Sequence, residues 1–289
     1  MRKLFLLVIV LFYSCNSNKE NAYFKDIKEN DVALAPPAPG DWLYDRDEKG
    51  QSFEKFMKSK HIIPTKEANI IYLKPIGSFT ALQTKQIELT REYLQIYFQL
   101  DTKILETASN NIIPDHARRI GREEQEQLLA GYILDSVLKK DKPLNRIAVM
   151  GLTELDLFPS PSWNYVFGLA SYTQKIGVSS IYRLQDEKLT EANFNLCLSR
   201  LLKVSSHELG HMFGLAHCIE ANCVMNGTNS IPETDEHSIR LCSNCQKKIN
   251  SGLKYDNKKR LNELAAYFER NNLMRELQLM KRDLASTRF

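Results

Sequence analysis

The segment that most constrains this chain runs from His207 to His217, where the sequence reads HELGHMFGLAH. His207 and His211 are four residues apart, so on a helix both imidazoles project from one face and reach one metal ion. Glu208 follows the first of them and is placed to contact a water molecule activated by that metal. This five-residue pattern is weak on its own, since chance produces it in roughly one chain in a hundred of this length. Its surroundings make it specific. Gly214 lies three residues beyond His211, and glycine adopts the positive φ that ends a helix in a sharp turn. His217 lies three residues further on and returns as a third nitrogen ligand. Three histidines leave the fourth zinc position open, which is the catalytic rather than the structural arrangement. Hydrolysis follows: zinc lowers the pKa of water to about 7 and polarises a carbonyl, while Glu208 takes the proton and passes it to the leaving amine. A peptide is the substrate class that suits this chemistry best.

Such a site needs a rigid body. At 289 residues and 43% apolar content the chain is long and apolar enough to bury a sizeable core. Its formal charge of +4 is spread among mixed signs, with no basic block that would mark a nucleic-acid surface. Periodicity predicts strands at Ile70–Leu73, Lys103–Glu106, Ile147–Leu152, Tyr165–Ala170 and Ile176–Leu184. It predicts helices at Thr84–Phe98, Arg122–Leu138 and Thr190–Gly214, the last carrying the histidines. This order indicates an α/β (α+β) domain with a mixed, mostly parallel sheet over residues 69–252. Residues 253–289 follow as a helical tail with one apolar stripe, Leu261, Leu264, Phe268, Leu277 and Met280 among it.

The N-terminus is of another kind. Arg2 and Lys3 precede an unbroken apolar run, Leu4 to Tyr13, closed by Ser14-Cys15. That is the layout of a secretory signal, and the run is too short for a permanent bilayer span. A cysteine directly after a small residue is similar to the lipobox of bacterial lipoproteins. The expectation is therefore a signal over residues 1–15 and a lipid anchor at Cys15, with the protein exported and held on a bacterial membrane. Residues 16–40 are polar and then proline-rich, and read as a tether. Residues 41–68, with Trp42, Phe53, Phe56 and Met57, read as a strap packed on the body.

Cys218 directly follows the last histidine, Cys223 comes five residues later, and Cys242 and Cys245 form a Cys-x-x-Cys pair. Four thiolates so spaced suit a closed tetrahedral zinc site. Two disulfides are the alternative for an exported chain. Cys197, among apolar neighbours, reads as a core side chain. His237 reads as a solvated loop residue, and His61 and His116 have no partners at metal spacing. Glu154 and Asp156 follow a buried strand and either line the cleft or cap a turn.

The run HELGHMFGLAHC, then CVM, NGTNS and CSNC, resembles the archaemetzincin family. The similarity extends upstream through GLTELDLF, VFGLAS and VSSIYRL, so it covers about residues 69 to 250, and the strap GDWLYDRDEKGQ resembles longer members. The resemblance implies a compact metzincin-like catalytic domain cut by an active-site cleft. It implies a catalytic zinc on His207, His211 and His217 with Glu208 as general base. It also implies a second, structural zinc on Cys218, Cys223, Cys242 and Cys245, and Met225 in a turn beneath the catalytic metal. The strand near Val178 to Leu184 would be the sheet edge that pairs with an extended substrate. Gly227 stands where some metzincins carry a tyrosine ligand, so no such ligand is expected. The competing reading is a zinc-stabilised lipoprotein that captures peptides without cleaving them. Whether the chain associates with itself is not written in the sequence.

Overall fold

Residues Ile70–Ile76 form β1 in the computed structural model, which describes residues 22–140, 143–186 and 188–287. The strand is buried along its whole length. Its side chains alternate between two cores, as the period of two requires: Ile71 and Leu73 enter the larger, and Ile70, Tyr72 and Ile76 the smaller. A strand covered on both faces reads as a nearly continuous apolar run, and this one does apart from Lys74.

Four more strands complete the main sheet: β2 (Thr102–Ile104), β5 (Arg146–Thr153), β7 (Gly168–Ser171) and β8 (Ile176–Ser180). Their order is β2-β1-β5-β8-β7. All neighbours pair in parallel except β7, which runs antiparallel to β8. The sheet is therefore mixed and mostly parallel. A smaller sheet joins β3 (Arg118–Ile120), β4 (Glu126–Leu129) and β6 (Asp156–Phe158) in the order β3-β4-β6.

The helix Ala81–Phe98 starts in a reciprocal cap, Thr80 accepting from the Gln83 amide and Gln83 from the Thr80 amide. It lays Ile87, Tyr93, Leu94, Tyr97 and Phe98 into the larger core. The active-site helix, Phe194–Met212, crosses the same core and buries Leu198, Leu201, Leu202, Leu209 and Met212. The predicted tail is two helices, Asn257–Arg270 and Met274–Ser286, and their stripe of Leu261, Leu264, Phe268, Leu277 and Met280 belongs to that core as well. Arg260 Nε donates to the Tyr97 carbonyl and the Tyr267 hydroxyl to that of Leu89, which locks the first of these helices onto Ala81–Phe98.

Several expectations need correction. The predicted helix Arg122–Leu138 is a strand followed by a helix. Residues Glu126–Leu129 form β4, of which Gln127 to Leu129 pair with β6, and helical turns begin only at Ala130. Gln127 decides this: in the strand its Nε2 reaches the buried Asp156 carboxylate, a long-range bond that outweighs a helical apolar spacing. The edge of the main sheet is also not Val178 to Leu184. β8 is interior, Tyr182–Gln185 is a 3-10 turn, and the edge is β7. The tether expected over residues 16–40 is anchored from residue 22 onward. Tyr23, Phe24 and Ile27 are buried in the larger core, and Asp31 pairs with Arg240 and accepts from the Ser243 amide. Its polar composition misleads because Asp31 has a buried cation to meet. Arg2, Lys3 and Cys15 lie outside the described residues.

Candidate metal centre

The active-site helix presents His207 and His211 on one face, as the four-residue spacing requires. It stops at Met212, and Gly214 takes φ +104°, from which the chain turns back so that the Leu215 amide meets the Gly210 carbonyl. The His217 ring then lies with its centroid 5.3 Å from that of His207 and 4.9 Å from that of His211. One ligand nitrogen from each of the three falls within 4.8 Å of the others. The turn glycine is also crowded, since a Cβ there would lie 3.1 Å from the His61 backbone. His61, stacked on Phe56, thus supports the turn.

The hydrogen bonds around these rings settle which nitrogens are free. His207 Nδ1 lies 2.8 Å from the Val224 carbonyl oxygen and His211 Nδ1 2.7 Å from that of Leu215. A carbonyl only accepts, so each Nδ1 carries the proton and each Nε2 is a bare lone pair. Those two Nε2 atoms face each other at 2.9 Å. Burial pushes His207 well below the usual imidazole range and His211 down to about 3, so no proton bridges the pair near neutrality. Two lone pairs held this close repel unless a cation lies between them and the third imidazole. The donor set therefore fits a metal, and with three nitrogens and an open side it fits zinc in a catalytic arrangement.

Glu208 is buried beside the histidines, where burial pushes its carboxyl up to about 8. It lines a cleft of about 700 Å3 together with His207, His211, His217 and the edge strand residues Gly168, Leu169 and Ala170. The backbone of Gly168 passes so close that a Cβ there would stand 2.6 Å from Glu208 Oε1. Gly168→Ala should therefore push the carboxylate aside, reducing hydrolysis about tenfold or more, as small misplacements of reacting groups do, with zinc content unchanged. Comparing kcat with zinc content for that variant checks this, and full activity would refute it.

Behind the helix, Met225 is fully buried, and a Cβ on Gly210 would meet its sulfur at 2.4 Å. It packs beneath the helix segment between Glu208 and His211 rather than pointing at a ligand. The Met225 carbonyl accepts from the Cys218 amide, which ties this turn to the cysteines. Cys218, Cys223, Cys242 and Cys245 are all buried and unbonded, with their sulfurs within 4.8 Å of one another. Cys218 Sγ and Cys242 Sγ are 3.8 Å apart. A disulfide needs about 2.05 Å, whereas tetrahedral zinc with bonds of about 2.3 Å spaces its sulfurs at about 3.8 Å. Backbone amides of Met225 and Cys242 point at Cys223 Sγ, and that of Cys245 at Cys242 Sγ, which favours thiolates. Contact with Cys223, Cys242 and Cys245 pulls the Cys218 thiol far down, burial pushes Cys223 up, and contact with Cys218 and the other thiols pushes Cys245 up. Four crowded sulfurs cannot all ionise without a cation, so this cluster fits a closed zinc site too.

The other singled-out residues sort differently. Asp156 is fully buried, bound by Arg183, Gln125 and Gln127, and holds the small sheet to the body. Glu154 accepts from the Ser78 amide and Asn110. Neither lines the cleft. His237 is not a solvated loop residue: it is half-buried in the cleft wall, its Nδ1 without a hydrogen-bond partner among the described residues, and burial draws it down to about 4. Cys197 is a core side chain, as expected. Sequence reasoning missed Tyr172, whose hydroxyl lies 2.7 Å from His211 Nδ1, and Glu48, which reaches His217. No local spacing links either to the histidines.

Residues 126–251 match the model of Peptidase family M54. The archaemetzincin-2 of Pongo abelii is 30% identical over 268 residues, covering 80% of this chain and 73% of that protein. The chain belongs to the archaemetzincin family. It is also similar to the archaemetzincin of Pyrococcus horikoshii, 40% identical over 133 residues, covering 45% of this chain and 69% of that one. Among solved structures it is similar to the archaemetzincin of Methanopyrus kandleri, with a TM-score of 0.52, 28% identity, and coverage of 67% of this chain and all of that one. The membership makes this chain a zinc metallopeptidase with a mixed α/β fold.

Proposed function

We propose that His207, His211 and His217 hold a catalytic zinc, that Glu208 is the general base, and that an extended peptide lies in the cleft along β7. The observation that carries this is the buried Glu208 carboxylate beside three imidazoles whose lone pairs converge on one point. When bound, zinc would polarise the scissile carbonyl and activate a water molecule. Glu208 would take a proton from the attacking water at its carboxylate and deliver it to the departing amine nitrogen. Its position supports that role, since the carboxylate is buried beside the point on which the imidazole lone pairs converge and opens onto the cleft. β7 supports the substrate path: it is the sheet edge, and its residues Gly168 to Ala170 form the cleft wall. Cys218, Cys223, Cys242 and Cys245 would hold a second, structural zinc, giving two ions per chain. The decisive test is cleavage of a mixed peptide library by the zinc-loaded protein and by Glu208→Gln. Cleavage by the first alone supports the peptidase, whereas peptide binding without cleavage by either supports the capture reading.

The N-terminal pattern supports export and a lipid anchor at Cys15. No described helix is long and apolar enough to cross a membrane. Full-length protein made in a bacterium should enter a detergent phase, and Cys15→Ser should move it to the aqueous phase. Wild type found in the aqueous phase would sink the anchor.

A further inference from the structure

Two of the three imidazoles are oriented by backbone carbonyls close to them in sequence, Val224 for His207 and Leu215 for His211. His217 is oriented from far away: its Nδ1 lies 2.7 Å from Oε1 of Glu48, 169 residues upstream. Glu48 lies outside residues 126–251, the part that matches the family model. It belongs to the strap, which is fastened on both sides of it. On one side the Trp42 amide donates to Glu233 and Asn229 donates to the Gly40 carbonyl. On the other, Gln51 spans the turn after the active-site helix, donating to the Gly214 carbonyl and accepting from the Ala216 amide.

We infer that Glu48 is a positioning residue for the His217 imidazole, which makes the strap a working part of the metal centre. This rests on reading the three histidines as metal ligands. A carboxylate that accepts the Nδ1 proton fixes the tautomer with its lone pair on Nε2, holds the ring orientation and raises the ligand's basicity. A backbone carbonyl supplies less of the last effect, because it carries no net charge. His217 also needs more restraint than its partners. They stand on a helix, whereas it sits on the chain beyond the turn. The Trp42 ring limits its movement from a second direction, meeting the imidazole edge-on with centroids 5.0 Å apart. Glu48 is not fixed there by other charges. His217 is its one ion-pair partner among the described residues, and its Oε2 has no hydrogen-bond partner among them.

The test measures metal affinity rather than activity. The histidine site of wild type, Glu48→Ala and Glu48→Gln is emptied with a mild chelator that leaves the buried cysteine-bound ion in place, and is then titrated with cobalt(II) and zinc against a chromophoric chelator. The histidine site is followed by cobalt bands that lack thiolate charge transfer, which separates it from the cysteine cluster. Glu48→Ala should bind at the histidines about 10- to 100-fold more weakly, and Glu48→Gln, which keeps an acceptor but loses the charge, should fall between. With the histidine site empty, the three proteins should melt at the same temperature. Equal affinity in wild type and Glu48→Ala would overturn the inference while leaving the histidine site standing. So would a Glu48→Gln that binds like wild type while Glu48→Ala loses affinity only in proportion to a lowered melting temperature of the protein with its histidine site empty. Wild type that binds no metal at the histidines would overturn both readings together.

Discussion

Glu208→Gln should retain the full zinc content of the wild type and lose peptide hydrolysis by a factor of about 10²–10⁴, the range that positioned general acid–base groups supply. The two side chains have nearly the same shape, so the imidazoles and the cleft stay in place. What disappears is a group that exchanges a proton with water and amine. The substitution should not harm the fold, and the sign follows from the carboxyl's titration. Burial raises it from 4.5 to about 8 in the metal-free protein. Between those values the folded chain binds more protons than the unfolded one, so stability falls as pH rises through that window. A neutral glutamine avoids this loss. With the histidine site empty and the cysteine-bound ion kept, Glu208→Gln should therefore melt no lower than wild type at pH 8. Zinc content, kcat/KM on a cleaved peptide and a thermal melt decide the matter. Activity within tenfold of wild type would remove Glu208 from the mechanism.

The second large effect belongs to the cysteines. Cys223→Ser should cost the protein one zinc and most of its cooperative fold. Cys223 is fully buried and its sulfur receives the amides of Met225 and Cys242, so a weaker ligand there disturbs both halves of the cluster. Structural zinc in small peptides is worth about 10–16 kcal/mol at neutral pH, against about 5–15 kcal/mol for the net stability of a whole domain. Losing the ion is thus comparable with losing the fold. The damage should spread to catalysis, because the Cys218 amide is bonded to the Met225 carbonyl beneath the active-site helix. Cys197→Ser, in the same core but away from the cluster, should change the zinc count not at all. Native mass spectrometry and thermal melts separate these outcomes. A Cys223→Ser protein with the same zinc count and a melting temperature within a few degrees of wild type would refute the second site.

What the sequence revealed about the site, and what it hid, follows from distance along the chain. His207, Glu208, His211, Gly214 and His217 span one helix end and one turn, so their geometry is nearly determined by helical pitch and by the freedom of one glycine. The cysteines were readable for the same reason, and a sulfur separation of 3.8 Å suits a shared metal better than a disulfide. The sheet edge was not readable. Val178 sits in an apolar, partly alternating run, but whether a strand is interior depends on which strands flank it, and β7 lies outside it because of a hairpin return. Arg122 to Leu138 was misread because Leu128, Leu129, Tyr132, Ile133 and Val137 fit a helix as well as a strand followed by a helix. The choice turned on Gln127 finding Asp156. Glu48 carried no signal at all, since an acidic residue in a charged strap looks like any solvated one until the strap is folded over His217.

One further feature concerns the two ends of the described chain. Arg240 stands two residues before Cys242, nearly buried, and its guanidinium holds Asp31 from the first segment and Asp283 from the last helix. Asn30 also donates to Asp283, so the ends are joined directly as well. Termini are ordinarily where a domain begins to fray. Here neither end loosens without stripping a carboxylate from a buried cation that adjoins the cysteine cluster. A pull on the first described segment would be met by Tyr23, Phe24 and Ile27 in the core and then by Arg240 through Asp31. Load on that segment would be taken up beside the cysteine cluster before it reached the cleft, since Tyr23 donates to Gln246 and Asp31 pairs with Arg240.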